Sequence, residues 1–363
     1  MTQTIPPSQI ESELEKIWES LQGTNKMRAC LFNLIIYGKK GQRAGYLNSL
    51  AEKMIQKFPS RIIFVTVDDT HQGDLLETSV SIMTADEGAS EIVCDLINID
   101  VAGESTKRIP FLILPHILPD LPVYLVYAEN PCKQDPLSYR IEQFATRVIF
   151  DSESAEELPA FAKTILEHKE KIGSQIADLN WARIESWRNL FTDTFQTPEH
   201  LEELRATKKF TIEYNSKTTN FYCHTKIQSV FLQAWVATRL GWQLKKTAKD
   251  GDKTVFEYEG EHGPIQVELV PQESDAVFSG RIMNVELVVE NETIYSFFRK
   301  KGSEHHVLVD RSSKMSCSLP KEYIFDKAET GQSLVKEVCH PSTSQHFVDV
   351  MQLLSTLKGE ELC

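Results

Sequence analysis

The chain has no pair of cysteines at CxxC spacing, although seven cysteines (Cys30, Cys94, Cys132, Cys223, Cys317, Cys339 and Cys363) are spread along its 363 residues. An odd, scattered set excludes the disulfide framework that staples small secreted folds and fits a reducing compartment, so cytoplasmic residence is expected. No apolar run approaches the roughly 20 residues needed to cross a bilayer. The first residues carry no cationic, apolar leader and read as the start of a surface helix: Ser8 and Glu11 have capping-box spacing, and Ile10, Leu14, Ile17 and Leu21 follow at helical intervals. Positive charge is scarce too, with 39 Lys and Arg against 52 Asp and Glu and a formal charge of -13. Lys208 with Lys209, Lys245 with Lys246, and Arg299 with Lys300 and Lys301 are too short to form a basic patch, so neither nucleic acid nor an anionic membrane is an expected partner.

Catalytic signatures are missing as well. The chain contains no GxSxG, HExxH or kinase motif. Cys223-His224, Cys339-His340 and His305-His306 lack the four convergent ligands at characteristic spacing that structural zinc requires, and no metal is expected. Carboxylates are too numerous in so acidic a chain to single out a catalytic pair.

What is present is ordinary globular composition, 41% hydrophobic and 25% charged, in a chain long enough for two cores. Leu31 to Tyr37 is an apolar run of strand length, Leu47, Leu50, Met54 and Phe58 form a helical stripe, and Ile62 to Val67 is a second apolar run. This predicts a βαβ unit with strands buried on both faces. Further strands are expected at Ser79 to Met83, Ile92 to Ile99, Val123 to Tyr127 and Arg147 to Phe150, with helices from Pro136 to Phe144 and from Glu153 to about Lys171. The reading is an α/β domain over 1–173 with a βαβ-type layered sheet.

From 174 to 363 an α+β domain with an antiparallel sheet is expected. Helices from Asp178 to Phe195 and from Thr225 to Leu240 flank a strand at Phe210 to Tyr214, and Gly241 is placed to end the second helix. Thr254 to Tyr258 with Ile265 to Val270, and Val285 to Val289 with Ile294 to Phe298, read as hairpins. A strand at His305 to Val309 and a helix from Phe347 to Leu357 follow.

Three segments could carry function. Gly38, Gly41 and Gly45, with Lys39, Lys40 and Arg43, lie between the first strand and its helix, where backbone N–H groups and a helix N-terminus could meet a phosphate. The spacing GxxGxxxG is neither the dinucleotide fingerprint nor a P-loop, and a solvated turn is the plainer reading. Asp68-Asp69-Thr70-His71 follows the second strand, at the end where α/β proteins place ligand groups, but no second ligand cluster accompanies it. The helix from Asp178, a plausible N-cap, aligns Trp181, Ile184, Trp187, Phe191 and Phe195. That aromatic face either packs inside or, with Arg183 and Arg188, forms a partner-binding hot spot.

Six segments in order resemble the OpcA family of glucose-6-phosphate dehydrogenase assembly proteins. They are Arg28-Ala29-Cys30-Leu31-Phe32-Asn33-Leu34, Pro59-Ser60-Arg61-Ile62, Leu118-Pro119-Asp120-Leu121-Pro122-Val123, Arg147-Val148-Ile149-Phe150-Asp151-Ser152, Asp178-Leu179-Asn180-Trp181-Ala182-Arg183 with Trp187-Arg188, and Ala234-Trp235-Val236-Ala237 with Arg239-Leu240-Gly241-Trp242. The resemblance spans positions 28 to 242. It implies a partner of glucose-6-phosphate dehydrogenase with no catalytic residue and no cofactor of its own, and Trp181, Arg183, Trp187 and Arg188 become the candidate contact. The rival reading is a phosphosugar- or nucleotide-binding protein, or a weak enzyme, using the Gly38 to Gly45 loop with Asp68 and Asp69. A scaffold for other enzymes of the pathway is a third.

Overall fold

The structure is a computed structural model that describes residues 4–24, 26–41, 43–85, 91–133, 140–220, 222, 224–314, 319–326, 331–340 and 342–357. After a 3-10 turn at Pro7–Gln9 come α1 (Ile10–Ser20), β1 (Lys26–Arg28), β2 (Asn33–Lys39), α2 (Ala44–Lys57), β3 (Arg61–Val67), β4 (Leu75–Ala85) and β5 (Glu91–Ala102). The first half continues with α3 (Ile109–Ile113), β6 (Val123–Tyr127), β7 (Arg147–Phe150), α4 (Leu158–Ile172) and β8 (Gln175–Asp178). The second half runs α5 (Leu179–Arg183), α6 (Glu185–Thr194), α7 (Pro198–Arg205), β9 (Thr207–Asn215), α8 (Ile227–Leu240), β10 (Gln243–Asp250), β11 (Lys253–Gly260) and β12 (Gly263–Gln272). It ends with β13 (Ile282–Val289), β14 (Ile294–Arg299), β15 (His306–Ser312), β16 (Lys321–Ile324), α9 (Gln332–Cys339) and α10 (Gln345–Ser355). Of the helix expected from Pro136 to Phe144, residues 136–139 lie outside the described residues, and 140–142 are helical.

These elements fall into two compact units. Met1–Ala155, Glu167–Leu179 and Thr330–Thr343 make the first, and Glu156–Leu166, Asn180–Glu329 and Ser344–Cys363 the second. Each is built on an eight-stranded sheet.

In the first unit the order is β1-β5-β3-β2-β6-β7-β8, all in parallel, with β4 antiparallel to β5. Leu34, Ile35 and Ile36 of β2 and Ile62, Ile63 and Val65 of β3 are fully enclosed, the expected outcome for central strands covered on both faces. Leu47, Leu50, Ala51 and Met54 bury the inner stripe of α2.

The capping box expected at Ser8 is not formed. Ser8 lies inside the 3-10 turn, α1 has no side-chain N-cap, and Glu11 turns to Arg61 Nη1 at 3.0 Å and His116 Nδ1 at 2.7 Å. A buried charge cluster drew Glu11 away from the helix end. Its centre is Asp95, which accepts from Trp18 Nε1 at 2.8 Å, Arg28 Nη2 at 2.6 Å and Arg61 Nη2 at 2.7 Å, and so ties α1, β1 and β3 to β5.

The second sheet runs β10-β11-β12-β9-β13-β14-β15-β16. It is mixed, which corrects the antiparallel expectation: β12 lies parallel to β9 while the other neighbours are antiparallel. The chain leaves β9, crosses through α8 and returns as the β10-β11-β12 meander, so its third strand reaches β9 pointing the same way. Phe210, Ile212 and Tyr214 of β9 face inward, and Thr211 and Glu213 between them are half-buried. Phe191 of α6 stacks on Phe297 at 4.9 Å, and Tyr258 donates to Gln233 of α8 at 2.8 Å, so α6 and α8 cover the same face. Gly241 ends α8 in the left-handed conformation, φ 68°, as read from the sequence.

Candidate functional site at the switch point of the parallel sheet

In the first unit the chain passes from β2 to β3 on one side and later places β6 on the other, so the strand order reverses beside β2. Doubly wound sheets bind ligands in the crevice at the carboxyl ends of such strands. The glycine loop lies there. Gly38 closes β2 against the start of α2, where an added Cβ would stand 2.7 Å from Leu47 Cδ1.

Every cation of the loop is engaged by a carboxylate from a neighbouring strand end. Lys39 pairs with Asp69, and Lys40 Nζ donates to Asp68 Oδ2 at 2.9 Å. Arg43 Nη2 donates to Asp151 Oδ2 at 2.5 Å, behind β7, with its guanidinium 5.2 Å from the Tyr46 ring. The backbone N–H of Lys39, which a phosphate would need, donates instead to Glu129 Oε1 at 2.6 Å, just past β6. Burial raises the Glu129 carboxyl above its usual range, opposed by that N–H and by Lys39. Asp68 is held far below the usual carboxylate range by the Thr70 hydroxyl first and Lys40 second. Burial disfavours the charge of Arg43, but Asp151 more than offsets it and raises the guanidinium. Farther along the edge, Asp178 accepts from Ser152 N at 2.8 Å and Ser152 Oγ at 3.0 Å.

Asp68 and Asp69 therefore meet Lys40 and Lys39; the sequence puts loop and acids in one site but not as one another's ion-pair partners. It also missed Glu129 and Asp151. Their one signal was a position just after a strand, which becomes informative only once strand order is known. Among the described residues no group of three or more His, Cys, Asp or Glu is arranged to hold a metal, and no helix is long and apolar enough to cross a membrane.

In the second unit the expected aromatic helix is two helices, α5 and α6, and Asp178 is the last residue of β8 rather than a free-standing start of the helix. Trp181 and Trp187 are buried, tilted against Phe347 at 5.6 Å and edge-on to Phe325 at 5.1 Å. Arg183 and Arg188 are half-buried. Arg183 Nη1 donates to Asn180 Oδ1 at 2.6 Å, and Arg188 lies 3.6 Å above the Trp181 ring while donating to the Trp181 carbonyl at 2.6 Å.

An NAD binding oxidoreductase from Klebsiella pneumoniae superposes with a TM-score of 0.50 at 9% identity, covering 90% of this chain and 96% of that one. A super-repressor mutant of Gal80p from Saccharomyces cerevisiae does so at 0.52 and 9% identity, covering 91% and 96%. At that identity the likeness is one of fold alone.

The sequence decides the family. Residues 51–166 match the N-terminal domain, and residues 174–350 the C-terminal domain, of the family described as the glucose-6-phosphate dehydrogenase subunit, and the chain belongs to this OpcA family. A putative OxPP cycle protein OpcA from Nostoc punctiforme is 27% identical over 232 residues, 59% of this chain and 48% of that protein. One from Synechococcus elongatus is 26% identical over 217 residues, 58% and 46%. The chain thus spans about half the length of these curated relatives.

Proposed function

We propose that the chain is a non-catalytic assembly or activating partner of glucose-6-phosphate dehydrogenase in the oxidative pentose phosphate pathway, working in the cytoplasm. The observation that carries this reading is the match of both family domains, in order, to residues 51–166 and 174–350. The switch point supports it: the loop that would cradle a pyrophosphate spends Lys39, Lys40 and Arg43 on its own carboxylates, and Glu129 occupies the backbone donor of Lys39. A dinucleotide would have to displace that set and face the exposed acids, so the isolated protein is expected not to retain NADP in equilibrium dialysis. Retention with micromolar affinity would favour the nucleotide-binding alternative.

An activator of this kind works by holding the active form of the enzyme better than the inactive one. Each tenfold preference contributes about 1.4 kcal/mol to the shift. Where the effect acts on substrate affinity, linkage requires glucose 6-phosphate or NADP to tighten the complex by the same factor. We place the contact at α5 and α6, where the buried Trp181 supports Arg188, with Arg183 and the buried Trp187 as its other members.

The test is light scattering and dehydrogenase activity of the cognate enzyme with and without this protein. A joint species with raised activity is expected. Two separate masses and unchanged activity would refute the proposal.

A further inference from the structure

Two half-buried guanidinium groups of the second unit have no carboxylate within ion-pair distance among the described residues. Arg281 directly precedes β13, and its side chain makes no hydrogen bond or ion pair with any described residue; the Phe278 ring lies 5.6 Å from its central carbon. Arg299 ends β14. It donates from Nε to the Ile282 carbonyl at 2.8 Å and from Nη1 to the Glu304 carbonyl, with the rings of Trp187 and Phe325 each 5.7 Å from its guanidinium. Because Ile282 follows Arg281, these bonds hold the two cations at one end of the sheet.

Arg183 of α5 completes the group, 4.9 Å from the Tyr222 ring and near enough to Arg281 to disfavour its charge. Burial is the main cause disfavouring the charged form of both Arg281 and Arg299, and Arg281 adds to it for Arg299. Glu304 is the carboxylate that counters both, and its own near neighbour is His305 Nε2 at 3.9 Å. Beside the cluster, and sharing Phe278 and Glu304 with it, lies a cavity of about 290 Å³ also lined by Asn215, Lys217 and Ser279. Lys217 there is paired with Asp275.

A partly desolvated guanidinium that no carboxylate bonds is costly to the fold, and its planar fork is shaped for phosphate or carboxylate oxygens. We infer that Arg281, backed by Arg299 and Arg183, binds the oxyanion, phosphate or carboxylate, of a small ligand whose body occupies the adjoining cavity. The chain then has a ligand of its own, at a place distinct from the glycine loop and independent of whether it partners the dehydrogenase.

The experiment is calorimetric titration and thermal melting of the full chain with inorganic phosphate, a hexose phosphate and citrate, each against potassium chloride at matched ionic strength. Saturable binding of at least one anion is expected, weakened tenfold or more in Arg281→Gln. Without ligand, that variant is expected to melt higher than the parent, because a half-buried charge with no bonded partner is gone; a purely structural arginine would lower the melting point instead. Tightest binding of the hexose phosphate assigns a phosphorylated ligand, and tightest binding of citrate a carboxylate. Absence of saturable binding above the chloride control, or binding that Arg281→Gln leaves unchanged, overturns the inference. Should Arg281→Gln fail to fold, Arg281→Lys keeps the charge but loses the fork, and unchanged affinity there overturns it equally.

Discussion

Asp95→Ala is expected to destabilise the first unit by about 3–5 kcal/mol, the cost of depriving the buried Arg61 of its main counter-charge. Asp95 is 4% exposed and Arg61, its main partner, 3%. Arg61 reaches it through Nε at 3.0 Å and Nη2 at 2.7 Å, and Trp18 and Arg28 bring the N-terminal segment to the same carboxylate. Removing it leaves Arg61 only the half-exposed Glu11 and the His116 carbonyl, and frees Trp18 of α1 from β5, so the denaturant midpoint should fall with little change in slope. Burial works against the Asp95 charge, but the bonds from Arg28, Arg61 and Trp18 outweigh it and hold the carboxyl below its usual range. A depressed folded-state value means the contribution is complete above the unfolded carboxyl's value of about 4 and drains away as pH falls through the folded-state value. The parent should therefore lose stability in that acid window and Asp95→Ala should lose less. A cost below about 1 kcal/mol would mean that water screens the cluster as it does a surface pair.

Trp187→Ala is expected to cost the second unit about 3–5 kcal/mol as well, in this case for an unfilled cavity. The indole is 2% exposed and is packed edge-on against Phe325 with Arg299 over its face. A partner-binding loss in this variant can therefore come from a damaged unit, and circular dichroism with a melting curve has to accompany it. Arg188→Ala separates the two effects. Its guanidinium is half-buried and lies over Trp181, so its removal should cost about 1–2 kcal/mol of stacking and hydrogen bonding while removing the proposed contact. Full partner binding by a folded Arg188→Ala would move the contact elsewhere, and a Trp187→Ala variant that melts like the parent would contradict the packing.

Local elements were legible where burial and periodicity agree. The apolar run through Leu34, Ile35 and Ile36 became β2, the stripe of Leu47, Leu50 and Met54 became α2, and Gly241 ended α8, because each depends on a few consecutive residues. Edges were harder. Residues of β10 such as Lys245 and Lys246 are exposed and lack alternation, so nothing in their pattern marked a strand that exists by pairing with β11. The break between α5 and α6 was hidden because Trp181, Ile184 and Trp187 keep helical spacing across it. The glycine loop was found, but its chemistry was not: Lys39, Lys40 and Arg43 looked available to an anion, whereas Glu129 and Asp151 arrive from strand ends far along the chain.

Acidity, room for two cores, a first half of βαβ type and six ordered segments of OpcA type could all be read from the chain, because those properties are additive along it or held in short strings. Tertiary structure alone decided the parallel pairing of β9 with β12, the neutralised switch point, the burial of Trp181 and Trp187, and the meeting of Arg183, Arg281 and Arg299. Each of these depends on which distant segments share an edge or an interior, and both Coulomb energy and desolvation are set by that distance in space and not by separation along the chain.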